Sequence, residues 1–198
     1  REFKSNNQPL RGSKLTTFEG GIRVAACVRW PAQWQGGRKL EDMLGYIDVM
    51  PTVLASAGMD PAAGQAAGHE LDGVNLCDLL AGSDKLLPQR DWYSYHGQSG
   101  PDSETIAIHT AQWKLIVNGP DIRSRTITAQ HQTWLYKLPD DLLEKHNVAA
   151  EHPEVVNELF EKLIAHRKLQ PANGVLPYNV GGKGFTPWKE WRIPRPSR

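Results

Sequence analysis

The alternation of apolar and polar side chains after residue 91 limits most strongly what this chain can fold into. Four short segments there follow the period of two that is typical of β-strands, and they lie close enough together for hairpins. The predicted strands span residues 92–96, 105–110, 112–118 and 133–138. Short strands at this spacing predict a small antiparallel sheet.

A helix follows the predicted sheet. Pro153 suits a first helical turn, Glu154 complements the positive N-terminal end, and basic residues stand at the other end. Apolar side chains recur at helical spacing, namely Val155, Val156, Leu159, Phe160, Leu163 and Ile164. We expect this stripe to cover one face of the sheet.

The first half of the chain has a different pattern of apolar residues. The apolar, β-branched run Ile22–Trp30 predicts a strand that is buried on both faces, as in a parallel sheet, with Cys27 as a buried free thiol. Two short helices are predicted at Val49–Ala57, with Asp48 as N-cap, and at Leu76–Ala81. A strand and helices of this kind predict an α/β layer.

Three regions follow from these patterns. Residues 1–88 are predicted to be part of an α/β domain, and residues 89–170 a small antiparallel subdomain with the long helix. Residues 171–198 are rich in glycine, proline and aromatic residues and lack periodicity, which predicts an extended tail.

Composition narrows the range of functions. The 198 residues contain 23 Lys and Arg against 22 Asp and Glu, so no charge excess favours nucleic acid as a partner. The sequence contains no apolar run of about 18 residues, so it predicts no transmembrane segment. The chain begins with Arg1 and lacks a signal-peptide pattern, which predicts either a removed N-terminus or a piece of a longer chain and leaves the compartment open.

Lys14 is the first candidate for chemistry. It lies in a loop, residues 12–23, in which Arg11 and Arg23 are close and several glycines allow close backbone approach. A lysine ammonium is a compact charge with three donors, which suits an oxyanion such as sulfate or phosphate. The alternative, an exposed loop lysine without a ligand, stays open on this evidence.

Other polar residues give weaker signals. His96, His109 and His131 lie on or beside predicted strands, and a single histidine there is more often structural than catalytic; His96 is nevertheless a candidate for a substrate pocket. The acidic residues Asp140, Asp141 and Glu144 are interpreted as a solvated turn. No serine stands in a nucleophile elbow, and no residues have metal-ligand spacing.

One segment resembles a known family. Residues Pro9–Val24, which read PLRGSKLTTFEGGIRV, resemble the second signature of the type I, formylglycine-dependent sulfatases, the arylsulfatase family. Further similarities lie at Tyr46–Val53, Leu71–Leu76, Trp113–Ile116, Leu135–Leu138 and Asn147–Val156. The resemblance covers about residues 7 to 168.

The resemblance implies an alkaline-phosphatase-like α/β fold with a C-terminal antiparallel subdomain. It implies hydrolysis of sulfate esters by a hydrated formylglycine beside a divalent cation, usually Ca²⁺, with a sulfated small molecule or carbohydrate as substrate. The signature lysine of the family contacts the sulfate, and Lys14 occupies the matching position; Arg11 and His96 are the further substrate-binding candidates. Bacterial relatives are often periplasmic or secreted.

The sequence also departs from the family. The formylglycine motif, Cys or Ser followed by x-Pro-x-Arg, does not occur, because Cys27 precedes Val-Arg-Trp and Cys77 precedes Asp-Leu-Leu. The acidic metal-ligand motifs of the family do not occur either. We therefore expect a C-terminal part of a sulfatase that is inactive in isolation. A non-catalytic binding or structural module, and a phosphatase-type relative of the same superfamily, remain as alternatives.

Overall fold

The computed structural model describes residues 7–63, 71–97, 103–120, 122 and 126–169. These residues form two compact units, one of residues 24–90 and one of residues 7–23 together with 91–169. The division after Arg90 lies close to the predicted boundary at residue 88, but the segment that carries Lys14 belongs to the second unit. The predicted tail at 171–198 lies outside the described residues.

The second unit contains a four-stranded antiparallel sheet. Its strands are β1 (Trp92–His96), β2 (Glu104–His109), β3 (Trp113–Gly119) and β4 (Gln132–Lys137), and they pair in chain order. In the register, Ile108 lies opposite Leu115, and Leu115 lies opposite Leu135. The predicted antiparallel sheet is confirmed, with strand ends shifted by about one residue.

One face of the sheet packs against the long helix, α4 (Pro153–Arg167). Residues two apart along a strand share a face, so Ile106 and Ile108 both point towards the helix. The core between them consists of Ile106, Ile108, Leu115, Val117, Ile122, Leu135, Val156, Leu159, Phe160, Leu163 and Ile164. This confirms the predicted covering of the sheet by the helical stripe.

A buried ion pair fixes the end of α4 to the sheet. Arg167 Nη2 lies 2.8 Å from Glu104 Oε1, and both side chains are almost completely buried. Tyr95 Oη donates a hydrogen bond of 3.2 Å to the same carboxylate oxygen. The last turn of the helix, the start of β2 and the C-terminal end of β1 are therefore held at one point.

The opposite face of the sheet is covered by the segment that carries Lys14. Ala107, Ile116 and Tyr136 form a second buried cluster on this face, and Phe18 packs against it. The Phe18 ring meets the Trp134 ring edge-on at a centroid distance of 5.8 Å. The sheet is thus covered on both faces, by a helix on one and by an irregular loop on the other.

The first unit contains the short helices α2 (Val49–Ser56) and α3 (Cys77–Leu80), as predicted to within one residue at each end. A 3-10 helix (Tyr46–Asp48), which was not predicted, precedes α2. Asp48 occupies the predicted N-cap position of α2, but its side chain makes no capping hydrogen bond to the helix. Its fully buried carboxylate accepts hydrogen bonds from the backbone N–H groups of Gly45 and Val74 and lies 2.7 Å from Arg90 Nη2.

The predicted buried strand at Ile22–Trp30 is also wrong. Ile22 closes a single helical turn, α1 (Glu19–Ile22), and residues 24–30 form no strand. Val24 is 85% exposed and Cys27 is exposed, not buried. An apolar run becomes a buried strand only where a neighbouring strand pairs with it, and the described part of residues 24–90 contains no strand. No helix among the described residues is long and apolar enough to cross a membrane.

Candidate functional site

The loop around Lys14 is folded tightly on itself. The Thr16 N–H donates to the Ser13 carbonyl at 3.1 Å, and the Thr16 hydroxyl bonds to the same carbonyl at 2.8 Å. The Gly20 N–H donates to the Arg11 carbonyl at 2.7 Å, which closes the loop at its base. Lys14 stands exposed at the tip of this closed loop, and no ion pair to it occurs among the described residues.

Two glycines make this closure possible. A Cβ atom on Gly20 would lie 2.6 Å from the Arg11 carbonyl oxygen, and one on Gly21 would lie 2.2 Å from the Thr16 carbonyl oxygen. Real Cβ contacts are never this short, so the backbone approach requires glycine at both positions. The two glycines of the sequence Glu-Gly-Gly therefore allow the close backbone packing of the loop.

Arg11 ties the base of the loop to the sheet. Its Nη1 donates hydrogen bonds to Tyr136 Oη at 2.7 Å and to the Glu144 carbonyl at 2.9 Å. The guanidinium also lies 4.2 Å from the centroid of the Phe18 ring. These contacts give Arg11 a structural role, and binding of substrate by Arg11 stays a prediction.

A fully buried charge cluster lies beneath the loop. Lys114 Nζ on β3 lies 2.7 Å from Glu19 Oε1 and 2.8 Å from Glu144 Oε1, and none of the three side chains is exposed. Glu144 Oε2 accepts the Glu19 N–H at 2.7 Å, and Arg23 pairs with the Glu19 carboxylate. The cluster joins α1, β3 and the connection between β4 and α4.

The cluster shifts the pKa values of its two carboxyl groups in opposite directions. Burial alone raises the pKa of Glu19, but the Lys114 charge and its hydrogen bond, together with Arg23, outweigh it and lower the net pKa. Burial raises the pKa of Glu144, and Lys114 offsets this only in part. One ammonium between two buried carboxyl groups favours full ionisation of Glu19 over Glu144.

His109 borders the same cluster. Its Nδ1 lies 3.7 Å from Glu19 Oε1. Burial lowers the pKa of His109 from 6.5 to about 4, against the opposing attraction of Glu19. The imidazole is therefore neutral near pH 7 and adds no charge to the cluster.

A cavity of about 410 Å³ opens beside the loop. The loop and α1 form one wall, and the end of β1 forms the other. Its lining residues are Leu15, Thr16, Thr17, Gly21, Ile22, Ser94, Tyr95, His96 and Gly97. The structure thus brings His96 next to the loop, whereas Lys14 precedes the lining residue Leu15 and is not itself part of the wall.

Two polar atoms on residues of this cavity have no hydrogen-bond partner among the described residues. They are the hydroxyl oxygen of Thr17, which is 3% exposed as a residue, and Nε2 of His96. Buried polar atoms are hydrogen-bonded in the great majority of cases, so both atoms are unusual.

Several of these residues were missed or misread in the sequence. Glu144 was interpreted as part of a solvated turn and is instead fully buried; Asp141 does cap that turn, accepting from the Lys145 and His146 N–H groups. The available signal was a lysine, Lys114, in the interior of a predicted strand. A buried lysine requires a buried carboxylate, which the period of two alone does not identify.

Two further predictions from the sequence concern His131 and a metal site. His131 is structural, because its ring nitrogens contact Thr128 and the Pro120 carbonyl. No group of three or more His, Cys, Asp or Glu side chains that could hold a metal ion occurs in the described part of the chain. These residues therefore do not fit a calcium site.

Known proteins match most of this chain. Residues 13–169 match the family described as N-sulphoglucosamine sulphohydrolase, C-terminal. The chain is 32% identical over 158 residues to N-acetylgalactosamine-6-O-sulfatase of Bacteroides thetaiotaomicron. The alignment covers 77% of this chain and 29% of that protein. It is 27% identical over 179 residues to arylsulfatase A of Homo sapiens, with coverages of 82% and 34%.

Solved structures have the same fold. A protein described with the metabolism of multiple glycosaminoglycans by Bacteroides thetaiotaomicron superimposes with a TM-score of 0.58 at 28% identity, over 80% of this chain and 32% of that one. The structure of Ps i-CgsB superimposes with a TM-score of 0.63 at 22% identity, over 82% and 32%. The chain spans between 29% and 34% of the length of these four relatives. The chain therefore belongs to the sulfatase family, of which it represents the C-terminal part.

Proposed function

We propose that this chain forms the C-terminal part of a sulfate ester hydrolase, in which Lys14 contacts the sulfate group. The observation that carries the proposal is the position of Lys14, at the exposed tip of a tightly closed loop and with no ion pair among the described residues. A lysine ammonium is a compact point charge with three rotatable donors. An unpaired ammonium on a rigid loop is available to an anion.

The chemistry of Lys14 follows from its charge. Three N–H donors can reach oxygens of a bound sulfate, and the positive charge offsets the negative charge that develops on the leaving oxygen. A donor contributes most when its position is fixed before the reaction. The buried cluster of Lys114, Glu19 and Glu144 fixes the base of the loop and so supports this role.

The proposal places neither the nucleophile nor the metal ion in this chain. The described residues offer no cation site, and neither cysteine has the formylglycine context. In this proposal the formylglycine and the Ca²⁺ ligands belong to parts of the enzyme that this sequence does not include. No step of the reaction is assigned to either cysteine of this chain.

The substrate is a sulfated small molecule or carbohydrate. The name of the Bacteroides relative, a sulfatase of N-acetylgalactosamine 6-sulfate groups, supports a carbohydrate. His96 is the proposed substrate contact next to the lysine, because it lines the adjacent cavity. Arg11 stays a weaker proposal, since its Nη1 is used by Tyr136 and Glu144.

The experiment compares two esters of the same leaving group. The reading frame upstream of this sequence is determined, and the full-length protein is assayed with 4-nitrophenyl sulfate and 4-nitrophenyl phosphate. We expect a Cys/Ser-x-Pro-x-Arg motif in frame and a higher kcat/KM for the sulfate. A higher kcat/KM for the phosphate would favour the phosphatase-type alternative, and turnover of neither would favour a binding module.

A further inference from the structure

The turn at the tip of the loop contains a strained residue. The Thr16 N–H donates to the Ser13 carbonyl, so Lys14 and Leu15 are the two central residues of a four-residue turn. The φ of Leu15 is 74°, whereas the φ of Lys14 is not positive. A positive φ at the third residue alone is the pattern of a type II turn, which favours glycine or asparagine at that position.

Leucine is poorly suited to the third position of this turn. A residue with a Cβ atom disfavours the left-handed region by about 5- to 30-fold in population, and leucine has no polar group that could bond back to the backbone. Burial does not compensate for this, because Leu15 is 52% exposed. A type I turn would avoid the strain, but its second residue, here Lys14, differs by about 150° in ψ. The strained form therefore needs a restraint from another residue.

The Thr16 side chain supplies this restraint. Its hydroxyl donates to the Ser13 carbonyl at 2.8 Å and accepts the Ser13 N–H at 3.2 Å, so it bonds both backbone groups of the first turn residue. The hydroxyl also lies between two glycine backbones, because a Cβ atom on Gly12 or on Gly21 would lie 2.5 Å from Thr16 Oγ1. Hydrogen bonds and packing together hold the hydroxyl in place.

Strained backbone that is retained in a fold clusters at functional sites. We propose that Thr16 is a positioning residue for Lys14, whose backbone is set by the strained turn that the Thr16 hydroxyl maintains. That the Lys14 ammonium meets a sulfate ester rests on the proposed function. The strained turn and its restraint by Thr16 rest on the described geometry alone. In this role Thr16 touches no reacting atom and acts only through Lys14.

The first test observes the turn in the 198-residue chain by NMR. The amide and α hydrogens of one residue lie closer together at positive φ than at negative φ, so Leu15 should give a strong intraresidue NOE. We expect Thr16→Val to weaken this NOE, because the unstrained turn then prevails, and Thr16→Ser to retain it. A weak NOE in the native chain, or an unchanged NOE in Thr16→Val, would overturn the proposal.

Asparagine at position 15 gives a rescue experiment. Asparagine tolerates the left-handed region, so a turn with Leu15→Asn no longer depends on the restraint. We expect the NOE at residue 15 to be equally strong in Leu15→Asn and in the double variant Leu15→Asn/Thr16→Val. A weak NOE in the double variant alone would show that the hydroxyl does not act by opposing strain at Leu15, and would contradict the proposal.

The second test measures kcat/KM of the full-length protein with 4-nitrophenyl sulfate. Without the restraint the strained turn falls to about a tenth of the population, so we expect Thr16→Val to lower kcat/KM about tenfold. The same change in a Lys14→Ala background should alter kcat/KM by less than about twofold, because the positioned group is absent. Equal losses in both backgrounds would show a merely structural role of Thr16 and would contradict the proposal.

Thr110→Val is the matched control. The Thr110 hydroxyl, in the turn between β2 and β3, likewise bonds both backbone groups of one residue, since it accepts the Trp113 N–H at 2.9 Å and donates to the Trp113 carbonyl at 3.1 Å. No residue of this turn has a positive φ. We expect kcat/KM within about twofold of the native enzyme, because no strain is released. A decrease as large as that of Thr16→Val would contradict a specific role of Thr16.

The outcomes separate this inference from the proposed function. If the full-length protein hydrolyses no sulfate ester, the hydrolase is contradicted, and the NOE at residue 15 still decides whether Thr16 holds the turn. If the protein hydrolyses sulfate esters with the same kcat/KM in Thr16→Val, the positioning role is contradicted and the hydrolase stands.

Discussion

Lys114 Nζ and Glu19 Oε1 lie 2.7 Å apart, and neither side chain is exposed. Glu19 lies five residues after Lys14 in the same loop, at the start of α1, and Lys114 lies on β3 in the interior of the sheet. Because Glu144 adds a second carboxylate to the same ammonium, the ion pair is part of a three-residue cluster. The base of the loop that carries the exposed Lys14 is thus held by charges that are withdrawn from water.

The first prediction concerns this cluster. Lys114→Met removes the ammonium and leaves the carboxylate of Glu19 buried without its main partner. Breaking one side of a buried ion pair typically costs about 3–5 kcal/mol, so we expect the free energy of unfolding to fall by about that amount. Urea denaturation followed by circular dichroism measures it.

The control is Lys162→Met on α4. Lys162 pairs with Asp91 at 3.2 Å, but its side chain is 43% exposed. Exposed ion pairs contribute about 0–1 kcal/mol, so the expected loss is within that range. If both variants lose the same small amount, the buried cluster does not hold the loop.

The second prediction is a pH dependence. Burial lowers the pKa of His109 to about 4 in the folded protein, from 6.5. As the pH falls below 6.5 the unfolded chain takes up the proton first, so stability that is present above pH 6.5 is lost as the pH falls towards 4. This contribution amounts to about 2–3 kcal/mol at the lower end of the range. The His109→Gln variant lacks this titrating imidazole. Its free energy of unfolding should therefore decrease less than that of the native chain between pH 7 and pH 4.5.

The comparison isolates His109. The charged groups that face it, namely Glu19, Lys114 and Arg23, are present in both proteins. His146→Gln is the control, since the His146 side chain is 80% exposed, and its stability should follow that of the native chain. Parallel pH profiles for the native chain and His109→Gln would show that His109 titrates normally.

The third prediction tests the closed loop. Gly21→Ala would place a Cβ atom 2.2 Å from the Thr16 carbonyl oxygen, so the loop must open. Overpacking of this kind costs about 1–3 kcal/mol. We expect a lower midpoint of thermal unfolding and faster amide hydrogen exchange at Gly20. Gly36→Ala is the control, because nothing lies within 4 Å of its Cβ position; a similar effect in both variants would contradict the packed loop.

The sequence predicted the sheet and α4 because their side chains repeat with a clear period over a whole element. Ile106 and Ile108 mark one face of β2, and Leu159, Phe160 and Leu163 mark one face of α4. The apolar run Val24–Trp30 has the composition of a buried strand without the neighbour that would bury it. Composition reports a tendency, whereas burial depends on what packs against the segment.

The sequence indicated some of the residues that the structure brings together around the loop. The roles of Lys14 and His96 stay predictions; the structure places His96 in a cavity whose wall begins one residue after Lys14. The cluster that supports the loop was missed, since Glu19, Lys114 and Glu144 are separated by up to 125 residues. Contacts over such distances depend on the pairing of β3 with β4 and on the covering of the sheet, which a local pattern does not contain.

If Lys14 acts on a sulfate ester, its removal should lower kcat/KM of the full-length protein with 4-nitrophenyl sulfate. Lys14→Ala is compared with Lys137→Ala, whose lysine forms an exposed ion pair with Asp140 in the same unit. We predict a decrease in kcat/KM of about 10²–10³ for Lys14→Ala, the scale of one lost transition-state donor, and little change for Lys137→Ala. A value for Lys14→Ala within twofold of the native enzyme would contradict a role of Lys14 in hydrolysis of the sulfate ester.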